Sequence, residues 1–294
     1  MDRIAIATDS HSGIRPEEAL QWGIFVLPMP FFVEGRQYFE NVSITRQELF
    51  AYLDQGKTVT TSQPAPESLL AFWQEILNDH DQIVYIPMSS GLSSSCATAQ
   101  ALAQEPPFAG RVFVVDDGRV ATPLRRTVMD ALDLVRAGLD PGQIQRVLEE
   151  DRENVSIYIA VETLEHLKRG GRITPTTAAV GTLLNIKPIL KLGTQTLDSY
   201  KKIRGMKKAR EEMIEALRQD IQTTFRQAHQ EGRLHLLAAT SADPETTASW
   251  VAQIREAFPG MEVLCDDLTM GICCHTGPGA LGIGCTCRPV IPGK

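Results

Sequence analysis

The sequence predicts an α/β protein in two parts, an N-terminal domain built on a parallel sheet and a C-terminal α+β domain. Three observations carry this expectation. Over roughly the first 155 residues, short β-rich runs alternate with amphipathic helical segments, as in a parallel sheet covered on both faces. Beyond that point strands follow one another with hairpin signals. The length of 294 residues suits two domains, and 43% hydrophobic with 22% charged residues is ordinary for a globular chain. The division is placed at residue 160, giving domains 1–160 and 161–294.

The elements follow in order. IAIAT (4–8) reads as a first strand ending at Asp9-Ser10. IFVLPMPFFV (24–33) is extended but interrupted by Pro28 and Pro30, which suits an edge or an irregular stretch. Ser43 or Thr45 opens a helix through RQELFAYLDQ. A second helix lies within 64–79, with prolines in its first turn and Leu69, Leu70, Trp73, Ile76 and Leu77 on one face. IVYIPM (83–88) and RVFVVDD (111–117) are continuous apolar runs of the buried-strand type, and SSSCATAQALA (93–103) between them is helix-prone. PLRRTVMDALDLVRAG and PGQIQRVLEED are amphipathic helices.

In the second half SIYIAV (156–161) is a strand, followed by a short helix ending at the pair Gly170-Gly171. TTAAVGTLLNI reads as a helix of small residues, and KPILKL and TLDSYKKI as strands turning at Gly193. A long helix is expected from about Met206 to about Ala228. LHLLAAT, the helix PETTASWVAQIREAF, MEVLCDD and ALGIGCTC complete the pattern.

Composition narrows the function. A net charge of −7 does not suit a nucleic-acid binder. No apolar run reaches the 18 residues of a membrane span. MDRIAIATDS has too short an apolar run for a signal-peptide core, so the six cysteines are expected to be reduced thiols in the cytoplasm. The charge is uneven. Residues 165–210 hold eleven Lys or Arg against Glu165 and Asp198, which is either a solvated face or a docking face for an acidic partner or a phosphate.

Several motifs do not carry the chemistry they suggest. GPGALG (277–282) matches G-x-G-x-x-G, but twelve residues follow it and none is acidic, so it is not a dinucleotide loop. Its glycines are expected to let the backbone come close to something. Cys273, Cys274, His275, Cys285 and Cys287 lack zinc spacing and read as small hydrophobes; no metal and no cofactor is expected.

The serines of YIPMSSGLSSSC (85–96) pose the central question. A nucleophile elbow needs G-x-S-x-G, and here Ser95 stands at the second glycine. A hydrolase or acyltransferase using Ser93 therefore remains the alternative. A Ser-rich turn opening a helix also supplies hydroxyl donors, free backbone N–H groups and a favourable dipole for an anion. VTTSQPAP (59–66) is a second hydroxyl-rich turn, and two such turns at the C-terminal ends of a parallel sheet would converge on one crevice.

TSQPAP (61–66), SSGLSSS (89–95), LEHLKRGGRIT (164–174), NIKPIL (185–190) and HTGPGALGIG (275–284) occur in the order and at about the spacing of the DegV family, with ATDS (7–10) and VLPMPFFVEGRQY (26–38) in register. Over essentially its whole length the chain resembles that family. The resemblance implies a fatty-acid-binding protein without a catalytic nucleophile, the lipid-carrying subunit of a bacterial fatty acid kinase. It implies an acyl chain in a tunnel between the two domains and a carboxylate phosphorylated by a partner kinase. Transient contact with a membrane surface is compatible with this role; stable insertion is not expected. Carried onto this sequence, Thr61 and Ser93 would hydrogen-bond the carboxylate, with Ser62 and Ser94 beside them and His275 at the mouth of the head-group site. Arg172 and Arg204 match arginines that engage the kinase. The family usually follows its GLS with Gly-Thr-Tyr; here Ser94-Ser95-Cys96 implies an altered tunnel wall.

Overall fold

A computed structural model of the chain describes residues 3–174, 177, 186–192 and 196–291. The first segment runs β1 (Ile4–Asp9), α1 (Pro16–Trp22), β2 (Ile24–Leu27), β3 (Pro30–Val33), β4 (Arg36–Phe39), α2 (Arg46–Asp54) and β5 (Val59–Thr61). The extended stretch 24–33 thus divides at its prolines into two strands of different sheets. Pro30 opens β3, where a missing N–H costs least. Sequence reading overlooked β4 and β5. The signal for β4 was Glu34-Gly35, whose φ angles of 49° and 79° make the tight turn of a hairpin. Of the two candidate caps for α2, Thr45 serves, with Glu48 completing a capping box.

The second segment holds α3 (Pro66–Ile76), β6 (Gln82–Ile86), α4 (Ser95–Leu102), β7 (Val112–Val114), α5 (Thr122–Arg136) and α6 (Pro141–Glu150). The third holds β8 (Val155–Ala160), α7 (Glu165–Gly170), β9 (Ile186–Leu192), β10 (Leu197–Arg204), α8 (Met206–Gln222), α9 (Arg226–Gln230), β11 (Leu234–Thr240), α10 (Pro244–Ala257), β12 (Val263–Asp267), α11 (Met270–Thr276) and β13 (Leu281–Cys287). The long helix expected to reach Ala228 breaks after Gln222, because Thr223 leaves helical geometry at φ −109° and ψ −80°. The small-residue helix read at TTAAVGTLLNI and the turn at Gly193 lie outside the described residues, apart from Thr177 and Ile186.

Packing divides the chain into two units, and neither is a continuous stretch. One comprises residues 1–30, 62–153 and 289–294; the other comprises 31–61 and 154–288. The single boundary drawn at residue 160 therefore shifts to 153/154, and the segment carrying β4, α2 and β5 belongs with the C-terminal half.

In the first unit β2-β1-β6-β7 form a four-stranded sheet in which every pairing is parallel. Its strands alternate at period two. Ala5, Ala7, Ile83 and Tyr85 pack with Trp73 and Ala99 on one face. Ile6, Val84 and Ile86 pack with Leu124, Val128 and Ile144 on the other. Both faces are covered, as the sequence predicts. Cys96 is fully buried on the first face with Tyr85 and Val114.

In the second unit the order β10-β9-β8-β13-β11-β12 makes a six-stranded sheet, antiparallel except for the β11–β12 pair. Met213 and Leu217 of α8 and Trp250 of α10 cover it. Asp220 of α8 accepts from Ser156 Oγ (2.5 Å) and Tyr158 Oη (2.8 Å) and meets Lys191 Nζ (3.2 Å), which ties the helix to β8 and β9. The three-stranded sheet β4-β3-β5 completes this unit, with β3 and β5 antiparallel.

The polar side of α5 turned inward is a departure from its amphipathic reading. Arg125 binds Glu18 bidentately at 2.8 and 3.1 Å, and Arg126 binds Asp130 at 2.8 and 3.1 Å. Burial outweighs Arg126 and pushes the Asp130 carboxyl up to about 6. Between about pH 4 and 6 the folded chain then holds a proton that the unfolded chain has released. The Asp130 contribution accordingly falls as pH rises through that window and is level above it. Urea unfolding of wild type and Asp130→Asn is expected to give a stability difference that shifts by about 1–3 kcal/mol between pH 4 and 6, to the detriment of wild type. A difference constant across this range would refute it.

Candidate functional site

The expected head-group residues fall on both units, and each group has its own local architecture. In the first unit β6 delivers the chain at Ile86 into the serine turn, and α4 begins at Ser95. Buried Asp9, at the end of β1, anchors the turn by accepting the Met88 N–H at 2.8 Å and the His11 N–H at 2.9 Å. Ser89 N donates to the Arg119 carbonyl at 2.8 Å, and Ser93 N to the Ser89 carbonyl at 3.1 Å.

The serine hydroxyls are not equivalent. Ser90 Oγ donates to Asp116 at 2.5 Å. Ser94 Oγ and Thr98 Oγ1 both donate to Gln63 Oε1, each at 3.0 Å. Ser93 Oγ accepts the Ser95 N–H at 3.2 Å, and its own proton finds no acceptor among the described residues. Of the two serines singled out in sequence, Ser93 therefore has a hydrogen to give and Ser94 has spent its own on Gln63. Ser62 is exposed.

The second unit places Thr61 at the end of β5, in the antiparallel three-stranded sheet. This corrects the expectation that both hydroxyl-rich turns cap strands of one parallel sheet. The serine turn does so; Thr61 does not, because VTT pairs with Phe31–Val33 instead of beginning a turn. Thr61 Oγ1 lies 2.8 Å from Nε2 of His275, in the last turn of α11. When the ring donates from Nε2, the threonine hydroxyl accepts from it and keeps its own proton for a ligand.

Glycines hold this pair in place. A Cβ on Gly170, at the end of α7, would stand 2.0 Å from His275 Nδ1. A Cβ on Gly277 would stand 2.5 Å from the His166 ring of α7, and one on Gly279 2.8 Å from Glu162. Gly282 and Gly284 lie within β13 and approach the backbone carbonyls of Ala239 and Ser156, with 3.2 and 2.5 Å left for a Cβ. The glycines of GPGALGIG thus permit close approach, as the sequence suggested. The loop is pinned by buried Ser241, whose Oγ donates to the Gly277 carbonyl at 2.7 Å and accepts the Ala280 N–H at 2.9 Å. Ser241, His166 and Gly170 were missed in sequence, because nothing local marks a partner 36 or more residues away.

His166 sits 3.1 Å from Arg169 through Nδ1, and burial with that neighbouring charge lowers its pKa. Arg172 donates to the Gly170 carbonyl. Arg204 ends β10, the edge strand, and is exposed. Within the basic stretch, Lys187 pairs with Glu162, Lys191 with Asp220 and Lys201 with Glu212. Lys202, Arg204, Lys207 and Lys208 are exposed and find no partner among the described residues. The thiols of Cys273 and Cys274 are buried in α11, and burial pushes Cys273 up to about 12. Among the described residues no three His, Cys, Asp or Glu side chains gather as a metal site, and no helix is long and apolar enough to cross a membrane.

Residues 3–287 match the family model described as an uncharacterised protein of the DegV family. A DegV domain-containing protein of Deinococcus radiodurans is 33% identical over 284 residues, covering 95% of this chain and 97% of the relative. Among solved structures, a DegV family protein from Thermus thermophilus, described for its fatty acid binding, is 33% identical with a TM-score of 0.85, covering 97% of this chain and 99% of the other. DegV from Bacillus subtilis, described as a fatty acid binding protein, is 27% identical with a TM-score of 0.83, covering 98% and 100%.

Proposed function

This chain belongs to the DegV family, and on that premise we propose that it binds a long-chain fatty acid and presents the carboxylate to a partner kinase for conversion to an acyl phosphate. The observation that carries the reading is the Thr61–His275 contact, at 2.8 Å. In this proposal Thr61 and Ser93 donate to the carboxylate, His275 polarises Thr61 and stands at the mouth, and Ser62 and Ser94 border the head group. The N-terminal unit supplies the serine turn. The remainder of the C-terminal domain covers the acyl chain.

The energetics need no catalytic group. Burying about ten methylenes at about 0.8 kcal/mol each provides roughly 8 kcal/mol before costs, which corresponds to about micromolar binding. A carboxylate taken out of water must be hydrogen-bonded, and charge-assisted bonds from hydroxyls meet that need. Phosphoryl transfer then requires an accessible carboxylate oxygen and the partner's active site.

The alternative, a hydrolase or acyltransferase using Ser93, has less support. Ser93 Oγ is bonded to a backbone N–H rather than to a histidine. His11 is bonded to Asp9, and His80 to the Ile76 carbonyl. Native mass spectrometry of protein purified from bacteria is expected to show a co-purified fatty acid, and delipidated protein to take up oleate. Failure of uptake, or a covalent adduct with a serine-reactive phosphonate, would overturn the carrier reading.

Arg204 serves the partner in this proposal. With Lys202, Lys207 and Lys208 it forms an exposed group that no acid neutralises among the described residues, suited to an acidic surface. Arg204→Glu is expected to leave oleate affinity unchanged while slowing acyl phosphate formation by the kinase about tenfold or more, and the wild-type rate should fall as salt rises. Lost oleate affinity would assign Arg204 to the lipid instead. Arg172 is proposed to face the same partner.

A further inference from the structure

We propose that α7 and the end of α11 form a lock through which an anionic group engaging Arg172 resets the Thr61–His275 pair. Its meaning for head-group presentation rests on the function proposed above; the lock itself does not.

The contacts are continuous. The Arg172 guanidinium donates to the carbonyl of Gly170, two residues back, and so braces the turn that ends α7. Gly171 closes that turn at φ 67°. The Gly170 Cα is the seat of the His275 ring, since a Cβ there would overlap Nδ1 at 2.0 Å. The other face of the same ring system reaches Thr61 Oγ1 through Nε2 at 2.8 Å. A second limb runs beside the first. Arg169 meets His166 Nδ1 at 3.1 Å, and the His166 ring occupies the space that the missing Cβ of Gly277 leaves open. Each helix thus seats its histidine on a glycine of the other, and each α7 histidine or glycine in the lock is held by an arginine of the same turn.

This geometry gives the Arg172 guanidinium a second use that competes with its bond to Gly170. Its guanidinium can brace the Gly170 carbonyl, or it can turn to a carboxylate or phosphate of a partner, for which it has the planar fork geometry. A partner carboxylate or phosphate competes with the single neutral carbonyl because it offers the fork two acceptor oxygens and an opposite charge. Release of the Gly170 carbonyl loosens the seat of His275, and with it the hydrogen bond that orients Thr61. The element biased is a single turn packed against one ring, so the coupling has a defined physical route. A docking event at the basic turn would in this way loosen the grip on the head group at the moment of transfer.

The test reads His275 directly and uses lipid-free protein, so it is independent of whether fatty acid is the ligand. The imidazole 1H–13C cross-peak of His275 is assigned with His275→Gln. In Arg172→Met this cross-peak is expected to move, while Arg172→Lys, which keeps a donor for the Gly170 carbonyl, restores it at least in part. Circular dichroism checks that both variants remain folded; the lysine variant alone suffices if the methionine variant does not, a shift smaller than that of Gly170→Ala being the expected result. Arg204→Gln, on the edge strand, should leave the cross-peak in place. In wild type, titration with a hexa-aspartate peptide should move the Arg172 and His275 signals with one midpoint. A His275 cross-peak unmoved in Arg172→Met, or an Arg172 signal that titrates without it, would overturn the lock. With oleate, Arg172→Met is expected to weaken binding about two- to thirtyfold. Absence of any oleate binding in wild type would instead count against the lipid reading and leave the cross-peak result standing.

Discussion

Replacing Thr61 by Val together with Ser93 by Ala is expected to raise the oleate dissociation constant by about two to four orders of magnitude. Each hydrogen bond lost to a charged carboxylate is worth roughly 1.5–3 kcal/mol, and two of them add to about 3–6 kcal/mol. The two residues enter the loss differently. Ser93→Ala removes one donor whose oxygen also accepts the Ser95 N–H, so part of the cost appears as a weaker start to α4. Thr61→Val removes the carboxylate donor and also strands His275 Nε2, 2.8 Å away. Because both donors act on one carboxylate in the proposed site, the single effects need not sum. Thr61→Ser, which keeps the hydroxyl, should recover most of the affinity. Calorimetric titration of delipidated protein measures all four variants; an unchanged dissociation constant in the double variant would place the head group elsewhere.

Gly284→Ala is expected to be the most damaging small substitution in the C-terminal unit. Gly284 lies in β13, between β8 and β11, and a Cβ there would stand 2.5 Å from the Ser156 carbonyl oxygen and 3.2 Å from Ile157 Cγ1. The obstacle is backbone on a paired strand, so relief requires moving one ladder against another, and overpacking of this kind costs about 3 kcal/mol or somewhat more. For a chain of this size that lowers the melting temperature by about 6–12 °C. Gly282→Ala, with 3.2 Å to the Ala239 carbonyl, should cost less. Thermal unfolding followed by circular dichroism orders the two; equal melting temperatures for Gly284→Ala and wild type would show that β13 shifts freely.

Much of this arrangement was legible in the sequence, for local reasons. The short, unbroken apolar runs of β1 and β6 and the proline-started helices α3 and α6 announce themselves within a dozen residues. The basic stretch around Arg204 needed only counting. Family membership came from motifs in order along the chain. The glycines of GPGALGIG could be read as sites of close approach without knowing what approaches.

What the sequence could not assign depended on partners far apart in the chain. That Thr61 closes a strand followed from Phe31–Val33 lying beside it, and short polar VTT carries no strand periodicity of its own. That residues 31–61 join the C-terminal unit is a matter of which surfaces bury against each other. Ser93 and Ser94 are chemically identical side chains one residue apart; Gln63, 31 residues before Ser94, takes the proton of that one, while the Ser93 proton meets no acceptor among the described residues. His275 acquires a threonine across 214 residues and a seat on Gly170 because neither helix turn can close on the other if a Cβ intervenes. Sequence by itself thus determined the elements and the kinds of side chain available, since propensity, capping and amphipathic period act between near neighbours. Tertiary structure alone decided which hydroxyls keep a hydrogen to give, since a donor is committed or free according to what folding brings within about 3 Å of it.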